Sequence, residues 1–422
     1  MIKSYLRILR KRNVFLLWFG QVVSQFGDRL TQMALIGLVY RLQHGTSSFE
    51  LAKIMSLAIV PVFLFSPVAG VYVDRWNKRQ TMYVSDLLRA LAIFMIPLFC
   101  FKFNSSVAAY ILIFLSFSIG RFFIPAKMAV IPSIVENKDL FLANSLISVT
   151  AMIAAVFGLG FGGVIVERWG VKNAFFMDAL TFFISGTMVF FMCVKENKRF
   201  HAKDILSLGK DALLEVKKSF GFEMREGFRY LVHSPQTRYA VKVKVILFAI
   251  IGALYTVFIV FIQEAFSTIT KDLGWLAIGA GGGLFFGSLV YGRIGARFPP
   301  RRVIWLSLMF TSLWLIMFTS VLRWQPNKIL AFLSCMILGF LASPIEIALN
   351  TLIHQESENA FLGRIFSSLE VVLHVAFIFF MFLASYLAEV MTPFTIIISV
   401  GIIIFSIASL NLLNDNDSSS RA

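Results

Sequence analysis

Apolar residues run through this chain in long blocks separated by short polar stretches. The blocks fall at about 14–41, 50–73, 80–101, 107–135, 141–166, 172–194, 241–263, 273–297, 302–322, 328–352, 362–388 and 391–413. A helix needs about 20 mostly apolar residues to cross a bilayer, so the pattern predicts twelve crossings. The first block follows Lys3, Arg7, Arg10, Lys11 and Arg12, as in a signal peptide. It is too long, carries charges and lacks a small-residue cleavage site, which makes it the first helix. The longest polar stretch, 195–240, divides the crossings six and six. Within it Leu213, Val216, Phe220, Met224, Phe228 and Leu231 recur at helical spacing among Lys, Glu and Arg. That spacing predicts an amphipathic helix on the membrane surface; a solvated linker is the alternative. The predicted fold is an all-α polytopic membrane protein with twelve transmembrane helices in two six-helix bundles. Its divisions are a bundle at 1–194, a linker at 195–240, a bundle at 241–413 and a polar tail at 414–422 expected to be disordered.

Composition changes the picture by exclusion. The chain is 58% hydrophobic and 15% charged, with mean hydropathy +0.80. Globular domains are about half apolar and a quarter charged, so a soluble enzyme is excluded, and so is a disordered chain. The net charge of +16 could point to nucleic acid, but its placement gives another reason for it. One set of alternating loops holds 27 Lys and Arg, the other 7. The positive-inside rule then puts both termini in the cytoplasm, with the protein in the cell membrane and no nucleic-acid partner. Cys100, Cys193 and Cys335 are odd in number, lie in apolar stretches and form no CxxC, which argues against a disulfide framework or zinc site. The histidines have no metal spacing, and no GxGxxG or Walker loop is present, so neither a metal nor a nucleotide cofactor is expected.

Polar residues inside the blocks carry the candidate chemistry, because a charge at a span centre costs about 2.5–3.5 kcal/mol on insertion scales. Gln21, Gln25, Asp28 and Gln32 fall within about 60° of arc at about 100° per residue. Facing lipid, such a stripe would leave amides unsatisfied, so it is expected to line a cavity; interhelical hydrogen bonding without a ligand is the alternative. Arg29 is expected to pair with a carboxylate from another span. Asp86 and Arg89, at i,i+3, read as a structural ion pair near the inner surface. Arg121 would meet an anionic substrate or neutralise Asp28 or Glu136. Asp178 reads as a residue near the outer end of its span, in a cap or headgroup role. In the second half, Glu346 and Asn350 stand at i,i+4, and Ser367, Glu370 and His374 share a face. A proton-driven carrier needs a carboxyl whose proton affinity follows wetting and drying. Asp28 is the first candidate, and Glu370, with His374 to relay its proton and Glu346 to complete the cluster, is the rival. Gly279, Gly283 and Gly287 at every fourth position predict close helix packing.

The chain also repeats itself. Gly70-Val-Tyr-Val-Asp74-Arg75-Trp76-Asn77-Lys78-Arg79 and Gly292-Arg-Ile-Gly-Ala296-Arg297-Phe298-Pro299-Pro300-Arg301 place Gly, Arg, an aromatic and a closing Arg at equal offsets. A duplicated architecture is indicated. The first copy resembles the G-x-x-x-D-[RK]-x-x-[RK]-[RK] loop of the major facilitator superfamily. That resemblance implies a secondary active transporter, not an enzyme, working by alternating access as two bundles rock. It also implies that Gly70, Asp74, Arg75, Lys78 and Arg79, with Asp86 and Arg89 beside them, form a cytoplasmic gating motif. Ala296 replaces the aspartate in the second copy, so the latch would be lopsided. Gly158-Leu-Gly160-Phe-Gly162-Gly163 is similar to the antiporter motif of drug-efflux members, with Phe161 where that motif has proline. The stretch 170–183, with Phe175, Phe176, Asp178, Ala179 and Phe182, looks like the macrolide-efflux and enterobactin-exporter branch. So do Glu226–Leu231 and Gly363-Arg364; lysophospholipid transporters resemble the same segments. The implied function is proton-coupled or cation-coupled export of a bulky amphipathic small molecule by a monomer among membrane lipids. Lysophospholipid flipping is the alternative. A membrane-embedded lipid-modifying enzyme would need an acid–base cluster at a membrane rim, whereas the dense polar clusters here are mid-span.

Overall fold

The computed structural model describes residues 2–103, 106–194, 235–356 and 362–419. The predicted linker helix and the segment opening with Gly363-Arg364 fall on positions whose backbone or side chains lie outside that description. A short helix, α1 (Ile2–Leu9), precedes α2 (Arg12–Leu42), α3 (Ser48–Arg75), α4 (Lys78–Phe103) and α5 (Ser106–Ile134). The helical run Leu140–Phe190 follows, then α8 (Pro235–Phe266), α9 (Lys271–Ile294), α10 (Pro300–Trp324), α11 (Lys328–Glu356), α12 (Leu362–Leu387) and α13 (Pro393–Ser419). Helix α13 runs through 414–419, part of the stretch expected to be a disordered tail. Once a helix is nucleated, each added residue gains a hydrogen bond, which lets it continue past its apolar part.

The run Leu140–Phe190 has 51 residues, about 76 Å at 1.5 Å per residue, far more than a bilayer requires. It breaks at Gly170, whose φ of 84° and ψ of 157° suit a residue without Cβ. The contacts with α2 show that the chain reverses there. Along the first arm, α6 (140–169), Thr150 meets Trp18, Gly158 meets Arg29 and Gly162 meets Leu30, so numbers rise together. Along the second arm, α7 (171–190), Thr181 meets Gly27 and Ser185 meets Gly20, so numbers run oppositely. Ten stretches among the described residues are long and apolar enough to span a membrane, and one of them, Asn137–Phe190, contains this reversal and crosses twice. With α2, long enough but rich in polar residues, the helices α2–α13 make the twelve expected crossings.

The helices group into two compact units, Met1–Leu38 with Ile54–Phe222, and Val39–Lys53 with Glu223–Ala422. In the first, Ile8 of α1 is fully buried beside Leu17, Met82, Phe123, Val130 and Val189. In the second, Ala240, Ile304, Trp305, Ala348, Leu349 and Leu369 form the core. Glycines set the closest approaches. A Cβ on Gly283 would lie 1.9 Å from the Met336 carbonyl oxygen, and one on Gly339 would lie 2.2 Å from that of Ala280. Thus α9 and α11 touch backbone to backbone, as the predicted small-residue spacing requires. Gly252 does the same for α8 against Phe377 of α12.

Candidate functional site

The polar stripe of α2 lies within the first unit and is held by α4, α5, α6 and α7. Two of these helices approach it through glycine: Gly27 gives way to Asp178 and Thr181 of α7, and Gly158 of α6 lies against the Arg29 side chain. The glycine-rich stretch of the sixth helix therefore has a packing role. Asp28 accepts from Arg89 Nη2 at 2.5 Å. The Arg89 guanidinium stands 3.9 Å from the Phe182 ring centroid and passes beside Gly120, where a Cβ would come within 3.3 Å of Arg89 Cζ. A desolvated cation over an aromatic face gains electrostatically, so one arginine joins α2, α4, α5 and α7. Asp86 accepts from Ser185 Oγ at 2.6 Å. Fully buried Asp178 accepts from Thr31 Oγ1 through one oxygen and from Thr181 Oγ1 at 3.0 Å through the other. Gln21 Oε1 accepts from Lys127 Nζ at 3.1 Å and from Gln25 Nε2 at 3.3 Å.

Several expectations change in this geometry. The hydrogen-bonded ion pair of Arg89 is with Asp28, because its long side chain reaches across to the stripe, while Asp86 takes its hydrogen bond from Ser185. Asp28 takes Arg89 rather than Arg121, whose Nε donates to the Phe117 carbonyl at 3.4 Å, one turn back. Arg29 donates to Gln32 Oε1 at 3.1 Å rather than to a carboxylate. Asp178 is a core group, not an outer cap, since the bend at Gly170 directs α7 back along α2.

In the second unit, His374 Nδ1–H donates to the backbone carbonyl of Glu370 at 2.7 Å, and the Glu370 side chain is exposed. Glu346 belongs to another cluster, with Lys244 Nζ at 3.1 Å and Asn350 Nδ2 at 3.2 Å, while Lys244 also donates to Asn350 Oδ1 at 2.8 Å. The charge count places Lys244 with the inner loop, yet it is buried within α8. The signal was present: Ala240, Val243 and Lys244 share one helical face, and the first two are core residues.

At the turn after α3, Asn77 Oδ1 accepts from the Gln80 amide at 2.9 Å and so caps α4. Arg79 Nη1 donates to the Met192 carbonyl at 2.7 Å, satisfying a free acceptor beyond the end of α7. Its counterpart Arg301 stacks 4.5 Å over Tyr239. A Cβ on Gly70 would meet nothing within 4 Å among the described residues. The side chains of Asp74, Arg75 and Ala296 lie outside the described residues.

On the cytoplasm-predicted rim, Arg7 and Lys11 reach Asp139 at 2.8 and 2.9 Å, and Lys11 and Lys138 reach Glu136 at 3.0 and 2.6 Å. The hydrogen bonds from Lys138 and Lys11 hold the Glu136 carboxyl down at about 2. Lys11 likewise keeps Asp139 low, and its own ammonium is held above the usual lysine range, chiefly by Asp139.

The chain is similar to several transporters. It is 23% identical over 364 residues to the multidrug efflux pump Tap of Mycolicibacterium fortuitum, covering 84% of each chain. It is 24% identical over 369 residues to macrolide efflux protein A of Streptococcus pyogenes, covering 85% of this chain and 84% of that one. With the uncharacterized MFS-type transporter YfiS of Bacillus subtilis it shares 23% identity, over 67% of this chain and 64% of that relative. Its fold matches a crystallised POT family transporter in complex with 5-aminolevulinic acid, at TM-score 0.69 and 12% identity over 96% of both chains. It matches the nucleoside transporter NupG at TM-score 0.68 and 12% identity, over 95% of this chain and 98% of that one. Residues 17–269, more than half the chain and all of the polar network built around Asp28, match the family profile. The chain thus belongs to the Major Facilitator Superfamily, as a multi-pass membrane transporter of small molecules.

Proposed function

We propose that this transporter is a proton-coupled exporter of bulky amphipathic molecules of the drug, macrolide or siderophore type, working as a monomer by alternating access. Similarity to multidrug and macrolide efflux proteins supports the substrate class, and 46 Phe residues suit a bulky apolar ligand. Both termini lie in the cytoplasm in this reading, as the loop charges favour. The observation that carries the coupling assignment is the Asp28–Arg89 pair. Asp28 lies sixteen residues into α2, about 24 Å along it, in a row of amides. Its side chain keeps 35% exposure while that of Arg89 keeps 10%. A proton arriving at Asp28 would discharge the carboxylate and leave Arg89 without a counter-ion, so protonation and rearrangement of the helices are linked. Proton release would restore the pair.

The test uses purified protein in liposomes with an imposed proton gradient and a hydrophobic cationic dye. Asp28→Asn is expected to abolish gradient-driven accumulation, by about tenfold or more, while downhill flux persists. Accumulation that survives Asp28→Asn but fails in Glu370→Gln would move the coupling site to the second half.

A further inference from the structure

The two halves of the chain repeat at a nearly constant offset. Gly70 and Arg79 correspond to Gly292 and Arg301, 222 residues on; Gln21 and Lys244, and Lys127 and Asn350, each stand 223 residues apart. In each half these last positions join the first crossing helix to the fourth. Lys127 on α5 donates to Gln21 on α2 at 3.1 Å, and Lys244 on α8 donates to Asn350 on α11 at 2.8 Å. The same lysine–amide bridge is therefore built twice, with lysine and amide exchanged between the helices.

What cancels the lysine charge differs. Lys244 has Glu346, one turn before Asn350, at 3.1 Å. The corresponding position in the first half is Phe123, a buried core residue, and the residues one turn either side of Gln21 are Leu17 and Gln25. The carboxylates that act on Lys127, Asp28 and Asp86, are bonded to Arg89 and Ser185. An ammonium has three donors, and Gln21 takes one of them. A cation inside a membrane is stabilised by pairing with an opposite charge, and the second half supplies that charge from its own chain.

We infer that Lys127 receives an anionic group, a carboxylate or a phosphate, of the transported molecule. The assignment rests on the amphipathic-carrier reading above and adds that, of two amphipathic molecules of like bulk, the one with a negative charge at one end binds more tightly. Gln21 positions the ammonium and, being neutral, leaves its charge for the ligand.

The test is equilibrium binding to the purified full-length protein in dodecylmaltoside, using fluorescent NBD-dodecanoate, its methyl ester and NBD-lysophosphatidylglycerol. The acid should bind about tenfold or more tightly than the ester, which corresponds to about 1.4 kcal/mol. Lys127→Gln should bring that ratio close to one, and Lys127→Arg should retain most of it. Gln21→Glu keeps the lysine but sets a carboxylate beside it, as Glu346 does for Lys244, and should also collapse the ratio. This second variant keeps the inference testable should Lys127→Gln fold poorly. Preference for dodecanoate alone identifies a soluble carboxylate; equal preference for the lysolipid identifies a lipid headgroup. A ratio near one in the wild type, or one that survives both Lys127→Gln and Gln21→Glu, overturns the inference. The dye assay judges the exporter reading separately: dye accumulation with a wild-type ratio near one leaves the exporter standing and removes the anion site.

Discussion

At the scale of single residues, the first unit is organised around Arg89. It meets Asp28 by charge, Phe182 by its ring face and Gly120 by the absence of a side chain. Breaking a fully buried ion pair from one side costs about 3–5 kcal/mol because a charge is left stranded. Asp28 keeps a third of its side chain exposed, so Arg89→Gln should destabilise by roughly 1–2 kcal/mol, below that range. The double variant Asp28→Asn/Arg89→Gln should lose less than the sum of the single ones, as residues in contact do. Unfolding in mixed micelles titrated with SDS measures this, and strict additivity would remove the pair from the energetics. The stripe of α2 could be read from spacing alone because it depends only on helical geometry. Its partner could not, since choosing among Arg89, Arg121 and Arg29 requires knowing which helices are neighbours.

At the scale of elements, α1 is held against the turn between α5 and α6 by charge as well as by buried Ile8. Glu136 has its carboxyl pulled from its ordinary value of 4.5 to about 2 by Lys138 and Lys11. A carboxyl depressed on folding contributes stability that is fully present above its unfolded value and lost as pH falls through the folded one. The contribution should therefore be intact above about pH 4.5 and disappear toward pH 2. Hydrogen exchange of the α1 amides, corrected for intrinsic pH dependence, should accelerate over that window in the wild type. Glu136→Gln should flatten the response arising from this carboxyl. Equal protection across the window in the wild type would show that Ile8 packing alone holds the helix.

At the scale of the whole molecule, the twelve crossings follow from length and apolarity, and their orientation is a matter of loop charge. Moving buried Lys244 out of the loop count changes 27 to 26 against 7, too little to alter the bias. Cysteines introduced at Asn104 and Ser207 of a cysteine-free variant should react with an impermeant maleimide from opposite faces of intact cells. Labelling of both positions from the same face would sink this topology. The two units also differ in how they use charge: the first holds a network of acids and bases around α2, while the second gathers Lys244, Glu346 and Asn350 in a compact cluster and adds ion pairs near helix ends, Lys328–Asp272 and Lys53–Glu50.

Sequence by itself determined the fold class, the number of crossings, the repeat and the residue types that a membrane interior must justify. Each depends on local quantities: the length of an apolar block, the period of a helix, the cost of a charge in hydrocarbon. The glycine spacing of α9 was equally readable, because small residues at every fourth position leave one helix face open to a neighbour. Only the tertiary structure decided the pairings. It gave Asp28 to Arg89, turned Asp178 inward through the reversal at Gly170, and bonded the His374 ring to the Glu370 backbone carbonyl. It also exposed the exchange of lysine and amide between the two halves. A side chain's partner depends on which helices meet and at what height, and that is set by packing over the whole bundle rather than by any one segment.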